Sequence, residues 1–249
     1  MHLTDKVVIV TGGGDGIGLA AARAYASLGA HVLITGRRAE RLEAIHANER
    51  RIHGLVADVS DSADAPRTVE KALDLWGRID VLVNNAGAGS PLPLADATAE
   101  RLRSIYTVNT IGPTLLAAAV IPHLERSKGA IVNLSSSLAR KAVPGFSDYA
   151  ASKAALEHLT RCWAVELAPK GIRVNAIAAG PVETMFLEER MGYSAAEAEA
   201  IKLQERNLIP LGRRGIPEEV ARWIVALTAS DADWVTGQIL GVDGGFALV

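Results

Sequence analysis

The segment Val7-Val8-Ile9-Val10 constrains the fold of this chain most, because it runs directly into Thr11-Gly12-Gly13-Gly14-Asp15-Gly16-Ile17-Gly18. A continuous β-branched run without polar alternation describes a strand buried on both faces. The glycines that follow permit a tight turn and let the backbone approach a ligand closely. Leu19, Ala20, Ala21, Ala24 and Leu28 then recur at helical spacing until Gly29 ends the pattern. Strand, glycine turn and helix start make an anion site, since the free N–H groups and the helix dipole favour a pyrophosphate.

Strand-like, mainly apolar runs follow at 31–35, 52–57, 79–83, 130–134, 172–177 and 238–242, alternating with helical patterns. That alternation predicts an α/β fold, a doubly wound parallel sheet with right-handed crossovers. The chain has 249 residues, 49% of them hydrophobic, which suits one domain of this class, and no internal repeat or linker interrupts it. Its 26 Lys and Arg against 28 Asp and Glu give a net charge of −2, so no electrostatic footprint for nucleic acid or an anionic membrane is present. The uncharged stretch 104–124 approaches membrane-spanning length. Asn109, His123 and the pair Gly112-Pro113 predict instead two buried helices separated by a break. The single cysteine, Cys162, lies among Leu156, Leu159, Trp163 and Leu167, so a buried thiol is expected. One cysteine without a partner and an N-terminus lacking a signal-type apolar region fit a reducing, cytoplasmic location. The six histidines show no short-range pairing of the zinc type, and no metal is expected.

Tyr149 and Lys153 sit four residues apart in Ser147-Asp148-Tyr149-Ala150-Ala151-Ser152-Lys153, with Ser136 thirteen positions upstream. On a helix that spacing puts both side chains on one face, with Cβ atoms about 5–6 Å apart. An ammonium so close to a phenol favours phenolate and draws a hydroxyl with an ordinary pKa near about 10 toward neutral exchange. Such a tyrosine can serve as general acid or base. By itself the pair is an ordinary helical feature; the glycine turn gives it a cofactor to work with.

Taken together, the glycine motif 11–18, Asn84-Asn85-Ala86-Gly87, Asn109, Ser136 and the Tyr149/Lys153 pair resemble the short-chain dehydrogenase/reductase family, in the family's order and over 6–245. The resemblance implies a seven-stranded Rossmann-type sheet of order 3-2-1-4-5-6-7, with the site at the carboxyl ends of the strands. It assigns catalysis to Asn109, Ser136, Tyr149 and Lys153. Ser136 holds the substrate oxygen, with Ser137 in reserve, Tyr149 exchanges the proton, and Lys153 lowers the tyrosine pKa and binds the nicotinamide ribose. Asn109 positions a water that relays protons to the lysine. It assigns cofactor binding to Gly12, Gly14, Asp15, Gly16, Ile17, Gly18, Asp58, Val59, Asn85, Tyr149, Lys153, Val182 and Thr184. Asp58 reads either as the adenine-contacting acid or as a helix cap. Where the family has Pro-Gly after the sixth strand, this chain has Ala179-Gly180, which predicts a less rigid loop.

Cofactor choice is read at the end of the second strand. Where NAD-preferring relatives carry an acid, this chain has Gly36-Arg37-Arg38, and guanidinium groups bind a 2′-phosphate by charge-assisted, often bidentate bonds. NADP(H) is therefore expected over NAD(H). Asp15 opposes this, because some NADP-binding relatives have a base there, and one of the two arginines reads equally as a solvated helix residue. The segment 185–208, rich in Glu and Ala with Met185, Phe186, Leu187, Met191 and Tyr193, reads as a helical lid over substrate. Ser90, Pro91, Leu92, Leu94, Val143, Phe146, Met185 and Phe186 are expected to line an apolar pocket. The expected activity interconverts a small-molecule ketone and a secondary alcohol with hydrophobic flanks. An NAD-dependent alcohol dehydrogenase and a 3-oxoacyl-carrier-protein reductase are the alternatives, and a non-catalytic redox sensor is disfavoured by retention of the serine, tyrosine and lysine. Apolar surface on the helix after Tyr149, on 104–124 and on the C-terminal run predicts two isologous contacts and a homotetramer.

Overall fold

The computed structural model describes residues 3–249. Seven strands form one parallel sheet: β1 (Val7–Thr11), β2 (His31–Gly36), β3 (Ile52–Val56), β4 (Val81–Asn84), β5 (Ala130–Ser136), β6 (Arg173–Ala179) and β7 (Ile239–Val242). Their order is β3-β2-β1-β4-β5-β6-β7, as the resemblance implies. Each run expected from the sequence is a strand, with ends moved by one or two residues. The order reverses between β1 and β4, where Val8 to Val10 pair with Val81 to Val83, and this places a cleft at the carboxyl ends of both strands.

The period of two in a strand divides the sheet residues between two cores. Val8, Val10, Val32 and Ile34 pack against helices α1 (Gly16–Ser27), α2 (Ala39–Asn48) and α9 (Pro217–Thr228). Val7, Ile9, Leu33, Leu82 and Ile131 pack against α3 (Asp64–Trp76), α5 (Gly112–Ser127) and α6 (Ser147–Leu167). Tyr25 ties the first layer together, its hydroxyl 2.8 Å from that of Thr228. The sequence of elements is completed by α4 (Ala99–Tyr106), α7 (Phe186–Glu189) and α8 (Ala195–Leu208).

Two local expectations are corrected. Gly112-Pro113 does not break the helix: 99–127 is one helical run in which α4 and α5 are joined by a π-turn, Thr107–Ile111. Pro113 follows directly on the π-turn, where the regular helical hydrogen-bond pattern is already interrupted, and Gly112 lets the helix pass Val59, whose carbonyl oxygen lies 2.2 Å from where a Cβ would be. This run is long and apolar enough to cross a membrane, yet Ile105, Asn109, Leu116, Val120 and Leu124 are buried within the protein. Cys162 is exposed, not buried. Leu156, Thr160, Ala164 and Leu167 form the inward face of α6, and Cys162, two positions from Thr160, is turned by about 200° to the opposite face.

Candidate active site

The glycine turn is held by Asn85. Its Nδ2 donates to the carbonyl oxygens of Thr11 (2.8 Å) and Gly12 (3.1 Å), while the Thr11 hydroxyl accepts from the N–H groups of Asn85 and Ala86, both at 3.0 Å. Gly12 has φ +63, in the left-handed region, and a Cβ on Gly18 would lie 2.4 Å from both the Gly12 oxygen and Asn85 Nδ2. The turn is thus packed tightly from behind while its front opens on a cavity of about 500 Å³. Gly12, Asp15, Gly16, Ile17, Asn85, Val182 and Thr184 line that cavity, and so do Ser136, Tyr149 and Lys153. A backbone cradle at a helix start, continuous with the catalytic side chains, fits the diphosphate and nicotinamide of a dinucleotide.

Ser136 ends β5, and Tyr149 and Lys153 project from the first turns of α6. Tyr149 is 7% exposed and Lys153 4%. Burial raises the Tyr149 pKa above its ordinary value, with the Ser136 hydroxyl partly opposing it. Burial lowers that of Lys153 to about 8. The expected pull of the ammonium on the phenol is not the dominant effect here: Lys153 Nζ donates to the Leu134 carbonyl at 2.7 Å, and desolvation governs both groups. Of the neighbouring serines, Ser135 is committed elsewhere, its hydroxyl donating to Glu157 (3.0 Å) and to the Lys153 carbonyl (3.3 Å). Ser136 Oγ accepts the N–H of Leu138 at 3.2 Å and faces the Tyr149 hydroxyl, whose pKa it lowers.

Asn109 lies behind the cavity wall, fully buried in the π-turn, a distortion common at functional sites. Its Nδ2 donates to the Ala88 carbonyl (2.8 Å) and Ser152 Oγ (3.0 Å), and its Oδ1 accepts from the Ala88 N–H (2.9 Å). Ser152 in turn donates to the Tyr149 carbonyl at 2.7 Å, so Asn109 braces the turn of α6 that carries the tyrosine.

Gly14, Gly18, Arg37, Arg38, Asp58 and Val59 lie outside the cavity lining. Asp58 caps no helix: its Oδ1 accepts from both the N–H (2.9 Å) and the hydroxyl (2.7 Å) of Ser60, and α3 starts only at Asp64. Arg37 is largely exposed, 3.8 Å from Asp58. Arg38 is paired with Asp15 and, at 2.5 Å, with Glu189. Ala179 does not loosen the chain, because β6 continues through it, paired with Ser136 on one side and Val242 on the other.

Of the apolar residues expected around substrate, Val143, Phe146, Met185 and Phe186 line the cavity, and the Phe186 ring centroid is 6.5 Å from that of Tyr149. Ser90, Pro91, Leu92 and Leu94 do not. The Ser90 hydroxyl accepts from Arg101, Leu92 is buried with its N–H on the Gly145 carbonyl, and Leu94 is exposed. Tyr193 of the expected lid is at the cavity, and so are Glu205, Arg214 and Phe246, to which the sequence reading gave no role of their own in the site. Arg214 is the most unusual, being buried and bound to Glu205 of α8 and, at 2.5 Å, to the Val182 carbonyl. Burial pushes the Glu205 carboxyl up. The Arg213-Arg214 doublet was the available signal, but a doublet in a turn reads as surface charge.

Comparison with known proteins decides the family. A family model described as "Enoyl-(Acyl carrier protein) reductase" matches residues 12–247. The chain belongs to the short-chain dehydrogenase/reductase family of oxidoreductases. It is 37% identical to the 3-oxoacyl-[acyl-carrier-protein] reductase FabG of Thermotoga maritima, over 100% of both chains. Dehydrogenase/reductase SDR family member 4 of Homo sapiens is also 37% identical, over 98% of this chain and 88% of the relative. Among solved structures, a Caenorhabditis elegans short-chain dehydrogenase/reductase of unknown function, with cofactor, superposes with a TM-score of 0.94 at 36% identity, over 99% of this chain and 97% of the other. The 3-ketoacyl-(acyl-carrier-protein) reductase of Brucella melitensis complexed with NADH gives 0.91 at 32%, over 98% and 99%.

Proposed function

We propose that this protein is an NADP(H)-dependent oxidoreductase that interconverts a ketone and a secondary alcohol with hydrophobic flanks, using Tyr149 as general acid and base. The observation that carries this reading is the meeting of Ser136, Tyr149 and Lys153 with the glycine cradle of Gly12 and Gly16 in one cavity. Hydride exchange with the substrate carbon is the chemistry that a bound nicotinamide supplies. In reduction, the Ser136 hydroxyl donates a hydrogen bond to the carbonyl oxygen and orients it toward Tyr149. The tyrosine, kept protonated by its burial, gives its proton to the oxygen as negative charge develops there. Lys153, whose pKa burial lowers to about 8, would hold the nicotinamide ribose and can resupply that proton, and Asn109 holds the α6 turn in place. Val143, Phe146, Met185 and Phe186 exclude water and set the apolar character of the substrate.

In the same reading, Gly14, Gly18, Asp58, Val59, Asn85, Val182 and Thr184 shape or contact the cofactor site, and 185–208 is the lid, since α7 and α8 supply one wall of the cavity. Arg37 and Arg38 stand at the end of β2, where the ribose 2′ position of a dinucleotide falls, and they favour the phosphorylated form. Exposed Leu102, Ile111, Leu115 and Val165 on α4 to α6, with Trp234, Leu248 and Val249 near the C-terminus, support a homotetramer built on two contacts. A lone cysteine suits the cytoplasm. A 3-oxoacyl thioester of a carrier protein is the second reading, favoured by the names of the Thermotoga maritima and Brucella melitensis relatives.

The test is a panel of ketones, secondary alcohols and 3-oxoacyl thioesters assayed with NADPH and NADH, on the parent and on Tyr149→Phe. Turnover of ketones with a higher kcat/KM for NADPH, lost in the variant with nucleotide binding intact, is expected. A parent that prefers NADH refutes the cofactor assignment, and a variant within about tenfold of the parent refutes the role of Tyr149.

A further inference from the structure

The adenosine end of the site is crossed by an ion-pair network that joins three distant parts of the chain. Glu189, the last residue of α7, places Oε2 2.5 Å from Arg38 and Oε1 2.6 Å from Arg41. Asp15, at the start of α1 in the glycine turn, accepts from the same two arginines, Arg41 at 3.1 Å. Two carboxylates therefore already occupy Arg38 and Arg41, beside the end of β2, while Arg37 lies 3.8 Å from Asp58. They are not equally replaceable. Asp15 is fixed by the turn and helix it begins, whereas Glu189 sits on a four-residue helix that belongs to the wall over the substrate pocket.

We propose that Glu189 is a cofactor-specificity determinant: it occupies Arg38 and Arg41 as an internal stand-in for the 2′-phosphate, which must displace it to bind. This rests on the reading of the site as a dinucleotide site with its adenosine ribose at the end of β2. A phosphate monoester brings close to two negative charges and three acceptor oxygens to the arginines, so it can win the exchange, but only by giving up the contacts Glu189 already makes. A dinucleotide that lacks the phosphate leaves the network closed. Glu189 thus weakens NADPH selectively and narrows the preference that Arg37, Arg38 and Arg41 would otherwise give. The adjacent Glu188 provides a control within the same helix, since its carboxylate turns the other way, onto Lys202 of α8 at 3.1 Å.

The test is the dissociation constant of NADPH and of NADH, measured by nucleotide fluorescence and calorimetry without substrate, for the parent, Glu189→Gln, Glu189→Ala and Glu188→Gln. Removing two partly exposed ion pairs from the competition should tighten NADPH roughly fivefold in both Glu189 variants, and leave NADH within about twofold of the parent. Glu188→Gln, which removes the same charge one residue away, should leave the ratio of the two constants unchanged. The proposal is overturned if the Glu189 variants keep the parental ratio, if they weaken NADPH, or if Glu188→Gln tightens it as much, which would make the effect one of net charge. A parent that binds neither nucleotide takes down the dinucleotide reading and the proposal with it; a parent that binds both, with a ratio insensitive to Glu189, takes down the proposal alone.

Discussion

Lys153→Met should make the protein more stable while removing its activity. The lysine is 4% exposed, makes its hydrogen bond to the Leu134 carbonyl, and forms no ion pair with a carboxylate among the described residues. Burial lowers its pKa from 10.5 to about 8. Keeping it charged in the folded state at neutral pH therefore costs about 3 kcal/mol. Methionine has similar length and no charge, so the substitution removes that cost and forfeits the bond to Leu134, about 1 kcal/mol. The balance, about 2 kcal/mol, corresponds to a rise of about 5 °C in Tm for a chain of this size. The pH dependence has a definite sign. Below pH 8 both folded and unfolded parent carry the proton, and the whole cost is present. Between pH 8 and 10.5 the folded lysine gives up its proton while the unfolded one keeps it, so the parent gains stability as pH rises and the advantage of methionine fades. Thermal unfolding of parent and variant at pH about 7 and about 10 decides it. A variant that melts at or below the parent at neutral pH, or whose gain is the same at both, would show that Lys153 is not held at a desolvation cost.

Ser136→Ala should lose a large part of the turnover and Ser137→Ala much less, because it is the Ser136 hydroxyl that faces Tyr149 at the cavity; initial rates in the reverse order would move the substrate contact to Ser137. Since burial raises the Tyr149 pKa, carbonyl reduction should hold its rate through neutral pH, and alcohol oxidation, which needs the phenolate, should climb as pH rises toward the tyrosine value. A pH–rate profile in which reduction already declines near about 7 would contradict that. Light scattering should show a tetramer, and Cys162 on the outward face of α6 should react with a thiol reagent faster after dilution to subunits than in the assembly; a monomer at micromolar concentration removes both expected contacts.

How much was legible in the sequence follows from the range of the interactions involved. The strands were legible because a parallel strand buried on both faces is almost entirely apolar: 7–10 is so throughout, and 79–83 and 130–134 each carry a single polar residue, Asp80 and Asn133. The glycine turn and the Tyr149/Lys153 spacing were legible for the same local reason: each is fixed by neighbours within one turn of chain. The helical run 99–127 was misread because a Gly-Pro pair normally signals a break, and only the close approach of Val59 to Gly112 explains why glycine stands there. Cys162 was misread because its apolar neighbours in sequence are not its neighbours around the helix.

The charged residues whose roles sequence reasoning missed share a different property. Arg214 meets Val182 and Glu205 from 32 and 9 positions away, and Glu189 meets Arg38 from 151. Long charged side chains carry no periodicity that betrays a partner, and alone each reads as a solvated surface group. Folding is what turns them into parts of the site. The sheet brings the end of β2 beside the glycine turn, and the excursion after β6 lays α7 and α8 across both. The same argument explains why Arg37-Arg38 was an incomplete statement of cofactor choice. The sequence shows how many guanidinium groups stand at the strand end, but their affinity for a phosphate depends on which carboxylates hold them first, and one of those carboxylates arrives from the opposite side of the cavity.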